Sequence, residues 1–171
     1  FYTDMVCGPK YFTYINQELP TLCRRFFGIQ PVPERTYIMG LSMGGYGAMK
    51  CAFTAPQQYA GCAGFSSVAE IQAELPQLCR WHEDQAIFPH GIVPPQDDLF
   101  DLVEKFRDGT CPMPRLFLAC GQQDSLYPAN LRLRDTLQAM NWPLTWYEAP
   151  GDHNWFFWND ALGRAMEKMI F

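Results

Sequence analysis

The sequence predicts a doubly wound α/β fold on a mainly parallel sheet, and three observations predict it. Four short apolar runs, at 36–41, 61–66, 115–120 and 144–148, alternate with segments of helical character, the pattern of strands joined by helical crossovers. One run passes through a glycine-rich turn directly into a helix, at Thr36-Tyr-Ile-Met-Gly-Leu-Ser-Met-Gly-Gly-Tyr-Gly-Ala-Met-Lys50. The 171 residues, 48% hydrophobic and 15% aromatic, suffice for one domain with a single core, and no repeat or low-complexity tract divides them.

The elements follow in order. Residues 10–27 read as a helix with Tyr11, Ile15, Leu19, Leu22 and Phe26 close to one face, and Pro20 predicts a kink or restart. A turn over 28–33 leads to the strand at 36–41 and a helix over 44–54, which Pro56 ends. After the buried strand at 61–66, residues 67–96 carry Pro76, Pro89, Pro94 and Pro95. They read as an irregular insertion over the C-terminal edge of the sheet. Within it Trp81, Ile87 and Phe88 suggest either a pocket lining or ordinary lid packing. Asp97 or Asp98 caps a helix running to 108, with Gly109 as its stop signal. The strand at 115–120, a helix over 130–141, the strand at 144–148 and a terminal helix over 155–170 complete the single domain, 1–171.

Bulk properties exclude several function classes. A net charge of −5 leaves no basic footprint, so nucleic acid is not an expected partner. No apolar run approaches the roughly 18 residues of a membrane span, so no membrane is expected either. Seven cysteines form no C-x-x-C pair, and Cys51, Cys62 and Cys120 lie in apolar segments, where a thiol behaves as a small hydrophobe. A reducing cytoplasm is therefore expected in place of a disulfide scaffold. The chain opens at Phe1-Tyr2-Thr3-Asp4 with neither an initiator Met nor a signal peptide, so a native N-terminus beyond it is expected. His82-Glu83-Asp84 lacks a second ligand cluster and reads as a solvated loop, and no metal or cofactor is expected.

Gly40-Leu41-Ser42-Met43-Gly44 matches the G-x-S-x-G nucleophile elbow in its strand–turn–helix context. The pattern alone recurs by chance in roughly one chain in twenty of this length, so the context carries the argument. A Cβ at Gly40 or Gly44 is expected to collide with neighbouring backbone. The motif requires an acid and then a histidine further along, and both are present. His153, in Gly151-Asp152-His153-Asn154, falls between the last strand and the terminal helix, whereas His82 and His90 precede the candidate acid. Asp124 follows an apolar strand and is placed at its C-terminal end, the ligand side of such sheets. Asp152 is the rival, but adjacent residues rarely aim a carboxylate at the neighbour's Nδ1. Met43 N–H is one expected oxyanion donor. Tyr2, Leu41 and Trp155 are pocket candidates. At least two of the four rings at 155–158 are expected in the core.

Taken together, Tyr2-Thr3-Asp4-Met5, Glu18-Leu19-Pro20, Gly40 to Ala48, Cys120 to Asp124 and Gly151 to Trp155 carry a closer match. The chain resembles the tributyrin esterase (acetyl esterase) branch of the esterase D/feruloyl esterase-like α/β-hydrolases. The resemblance implies a cofactor-free serine carboxylesterase acting on short acyl esters, with Ser42, Asp124 and His153 as nucleophile, acid and base. It also implies a further N-terminal stretch in family members, holding the first strands and a loop with the second oxyanion donor. An Asp acid argues against the mycolyltransferase relatives, and Gly40-Leu41-Ser42 in place of Gly-His-Ser disfavours S-formylglutathione hydrolase. Three alternatives stand beside carboxylester hydrolysis: an S-formylglutathione hydrolase relative, acyl transfer by the same residues, and an inactive piece that associates as a homo-oligomer through an exposed sheet edge.

Overall fold

Strand residues here alternate between two apolar surfaces, and that alternation fixes the architecture. A computed structural model describes residues 1–79 and 83–170. Its four strands, β1 (Tyr37–Leu41), β2 (Gly61–Phe65), β3 (Arg115–Gly121) and β4 (Leu144–Ala149), are parallel throughout and lie in the order β1-β2-β3-β4. Ile38, Cys62, Leu116, Leu118 and Trp146 face one core. Their neighbours Met39, Ala63, Phe117, Ala119 and Tyr147 face the other. A period of two with both faces covered is what a parallel sheet demands.

Helices cover both faces, as the alternating pattern predicts. The first core is closed by α3 (Met43–Thr54), α6 (Leu99–Glu104) and α7 (Tyr127–Ala139), with Tyr46, Met49, Phe53 and Leu133 fully buried. The second is closed by α8 (Trp155–Met169), through Phe157, Trp158, Ala161, Ala165 and Met169. Phe157 and Trp158 are buried and Trp155 and Phe156 exposed, so two of the four rings at 155–158 are core. Because all strands run the same way, the turns after β1, β2, β3 and β4 collect at one edge of the sheet. That edge holds the candidate site.

Several expectations are corrected. The 10–27 segment is helical but not uniform: α1 (Tyr11–Thr13) and α2 (Leu19–Phe27) are separated by a π turn at Tyr14–Glu18. Pro20 has no N–H for the carbonyl of Asn16, and the widened turn precedes it. The apolar stripe of this helix is largely solvent-facing, with Tyr11, Leu22 and Phe26 exposed, while Ile15 and Phe12 pack against the core. The described residues of 67–96 are not irregular throughout. They contain α4 (Ile71–Leu78), α5 (Glu83–Ile87) and tight turns at Pro89–Gly91 and Pro95–Asp97. Ile87 and Phe88 are buried in the first core; Trp81 and His82 lie outside the described residues.

Asp98 is the cap of α6, accepting from the N–H groups of Phe100 and Asp101, and that helix ends at Glu104, short of 108. Asp97 is turned instead into a buried pair with Lys50. α7 starts earlier than expected because Pro128 occupies its first turn, where a missing N–H costs nothing. All seven cysteines are free thiols. No described helix is long and apolar enough to cross a membrane.

Candidate active site

Ser42 occupies the single residue between β1 and α3, with φ 55° and ψ −122°. A side chain in this left-handed region is strained, and it persists only where the surroundings over-determine it. Here the Ser42 N–H donates to Phe65 O at 2.8 Å, and Ser42 O accepts from Gly45, Tyr46 and Val68. Gly40 makes the sharp turn feasible, since a Cβ there would penetrate the Gly44 carbonyl. Gly44 differs from expectation: a Cβ there would meet only the Tyr2 hydroxyl, at 3.6 Å, an ordinary contact.

His153 lies in the loop after β4, and Asp124 in the turn after β3. The His153 ring bridges the other two residues, with Nε2 2.9 Å from Ser42 Oγ and Nδ1 2.9 Å from Asp124 Oδ2. Asp152, the rival acid, accepts the backbone N–H of His153 at 2.7 Å and leaves the ring to Asp124. The Asp124 side chain is fully buried, and its Oδ1 accepts the Leu126 N–H at 2.9 Å. Burial pushes this carboxyl up, but hydrogen bonds from His153, Ser66 and Leu126 outweigh that and hold it below the usual carboxylate range. The Asp124 hydrogen bond in turn raises His153 above its ordinary value, against partial desolvation. An imidazole bridging a hydroxyl and a buried carboxylate has the geometry to accept the hydroxyl proton while the carboxylate steadies the imidazolium.

Two further positioning residues carry no signal in the local sequence. Gln123 laces the acid turn to the histidine loop: its N–H donates to Gly151 O at 2.9 Å, and its Oε1 accepts from Gly151 N–H at 2.6 Å. Ser66, at φ 47°, accepts from Trp158 Nε1 at 3.1 Å and donates to Asp124. The Trp158 ring in turn meets the His153 ring edge-on at 4.8 Å. Neither residue belongs to a local motif, because both act between loops that meet only when the sheet has formed.

Met43 opens α3, so its N–H has no helical acceptor, and the residue lines the same cavity as Ser42. A cavity of about 720 Å³ contains Ser42 and is walled by Tyr2, Leu41, Met43, Trp155, Trp158 and others. The pocket candidates Tyr2, Leu41 and Trp155 thus gather around Ser42. Among the described residues none from 67–96 lines this cavity. Buried Cys51 and Cys120 are pushed up to about 12 by desolvation and are not poised as nucleophiles.

The parallel sheet with a strained serine at a strand–helix turn defines the α/β-hydrolase class. The chain belongs to the esterase family, whose sequence model, described as "Putative esterase", matches residues 3–108. It is similar to an acetyl esterase of Caldicellulosiruptor saccharolyticus, 29% identical over 179 residues that cover 99% of this chain and 67% of the relative. Among solved structures it resembles the substrate-bound fluorophosphonate-binding serine hydrolase F (FphF) of Staphylococcus aureus. That match has a TM-score of 0.89 and 30% identity, and it covers 99% of this chain and 67% of the other. An S-formylglutathione hydrolase (FrmB) of the same organism follows, with a TM-score of 0.79 and 30% identity over 94% of this chain and 61% of that one. The chain therefore spans about two thirds of the length of these relatives.

Proposed function

We propose that the protein is a serine carboxylesterase that hydrolyses short-chain acyl esters, acetyl and butyryl esters among them, without cofactor. The observation that carries this reading is the unbroken hydroxyl–imidazole–carboxylate chain, 2.9 Å at each link. His153 takes the proton of Ser42 as Oγ attacks the ester carbonyl, and the Met43 N–H stabilises the oxyanion. The C–O bond to the alcohol then breaks, and the alcohol leaves with the proton held by His153. Water attacks the acyl-enzyme by the same route and releases the carboxylic acid. Tyr2, Leu41 and Trp155 wall the substrate cavity. The similarity to an acetyl esterase supports a small acyl group.

Ser42→Ala is expected to lower turnover of p-nitrophenyl acetate by more than about 10⁴-fold with the fold intact. Retention of a substantial rate by a folded Ser42→Ala protein overturns the assignment. Acyl transfer by the same residues is distinguished by product partitioning to an added alcohol. A second reading, self-association of the chain, is favoured by a separate observation: among the described residues β1 is an edge strand, and Phe26, Phe27, Ile29 and Val32, which precede it in the chain, are exposed.

A further inference from the structure

We infer that the Tyr2 hydroxyl is a side-chain hydrogen-bond donor to the carbonyl oxygen of the bound ester, acting beside the Met43 N–H as negative charge develops there. The inference rests on the esterase reading of Ser42 and deepens it by naming a side-chain donor, additional to the loop donor that the resemblance implies.

Four observations converge on Tyr2. Its side chain lines the cavity that holds Ser42 and Met43. Its ring lies against α3 where Gly47 has no side chain; a Cβ on Gly47 would overlap the ring carbons. Its hydroxyl comes 3.6 Å from the place a Cβ on Gly44 would take, which sets the phenol over the first turn of α3, next to Met43. Among the described residues it takes part in no hydrogen bond with protein, so its proton is free for a ligand. In a lining of mostly aliphatic and aromatic groups, such a donor is directional and little contested.

Tyr2 is also held in place. It adopts φ 46°, a left-handed backbone for a residue that is not glycine. Buried Thr3 donates its hydroxyl to Asp97 at 2.9 Å, and Asp4 accepts from the Thr13 N–H and hydroxyl at 3.0 and 2.6 Å. With both following residues anchored, the strained backbone is over-determined, as at sites where strain fixes a group in advance of binding. A donor fixed in this way needs no reorganisation when the oxyanion forms, and that is the basis of its contribution. The phenol keeps its proton throughout; no bond to Tyr2 forms or breaks.

Tyr2→Phe in the full chain tests this, since it removes one oxygen and keeps the ring. The expected result with p-nitrophenyl acetate is a fall in kcat of about 10- to 100-fold, with KM changed less than about threefold. The rate of Ser42 labelling by a fluorophosphonate probe should fall in parallel, and the unfolding temperature should stay within a few degrees. Thr3→Val, which keeps the phenol but loosens its anchor, should give a smaller fall in kcat in the same direction. An unchanged kcat for Tyr2→Phe, or a loss confined to KM, overturns the inference while leaving Ser42 as nucleophile. Failure of the unsubstituted protein to label at Ser42 overturns the esterase reading, and this one with it.

Discussion

At the scale of single residues, the distinctive property of the site is that Asp124 and His153 shift each other in opposite directions. The imidazole is raised through one 2.9 Å hydrogen bond, and the same bond, with those from Ser66 and Leu126, holds the carboxyl low against its burial. A raised imidazole keeps its proton to higher pH, and a protonated His153 cannot accept a proton from Ser42. The acidic limb of kcat/KM is therefore expected above the ordinary histidine value of about 6.5. In Asp124→Asn the raising contact is lost, so the limb should move to lower pH while the plateau rate falls by about 10⁴-fold. A pH–rate profile of both proteins checks this, and a limb that stays in place or moves upward contradicts it. The same pairing sets a stability trend. The Asp124 contribution is present above its unfolded value and lost as pH falls through its depressed folded one.

At the scale of elements, α3 is tied to the rest of the chain by a buried charge pair. Lys50 pairs with Asp97 on the turn before α6, and Asp97 also accepts from Thr3, while Tyr46 donates to its carbonyl at 2.6 Å. Burial lowers Lys50, and the Asp97 contact works against that shift. Removing one partner leaves the other buried and uncompensated, so Lys50→Met should cost about 3–5 kcal/mol in urea unfolding. Adding Asp97→Leu should recover a large part of that cost; additive losses would count against a paired role. This element also shows what the sequence made legible. The strand–Ser42–helix unit, the order Ser42, Asp124, His153 and the strand positions follow from local pattern. Asp97 carries a local capping signal, whereas its pairing with a residue 47 positions away leaves none in the sequence. The prolines of 67–96 concealed two short helices for a similar reason: Pro76 sits inside α4, where local propensity argues against a helix and tertiary packing of Ile71 and Leu75 wins. Gln123 and Ser66 were invisible because their partners are on other loops.

At the scale of the whole molecule, the stripe on the 10–27 segment identifies a helix correctly, but amphipathicity does not say what covers its apolar face. Here much of that face is open, and among the described residues the outer edge of β1 is unpaired. This predicts concentration-dependent self-association of the 171-residue chain. Size-exclusion chromatography with light scattering should show a species above the monomer mass of 19.7 kDa. A monomer across the accessible concentration range removes that reading, while leaving the site unaffected.

The contact between His153 and Ser42 joins residues 111 positions apart, and Asp124 reaches His153 from a third loop. Each of the three groups stands at the end of a different strand, and β2 lies between the strands that carry Ser42 and Asp124. No subset of the sheet can bring them together, and chain-closure entropy must be overcome for every intervening pairing first. With Ser42 as the proposed nucleophile, its reactivity during refolding is expected to report completed topology and to be silent in collapsed intermediates however much secondary structure they contain.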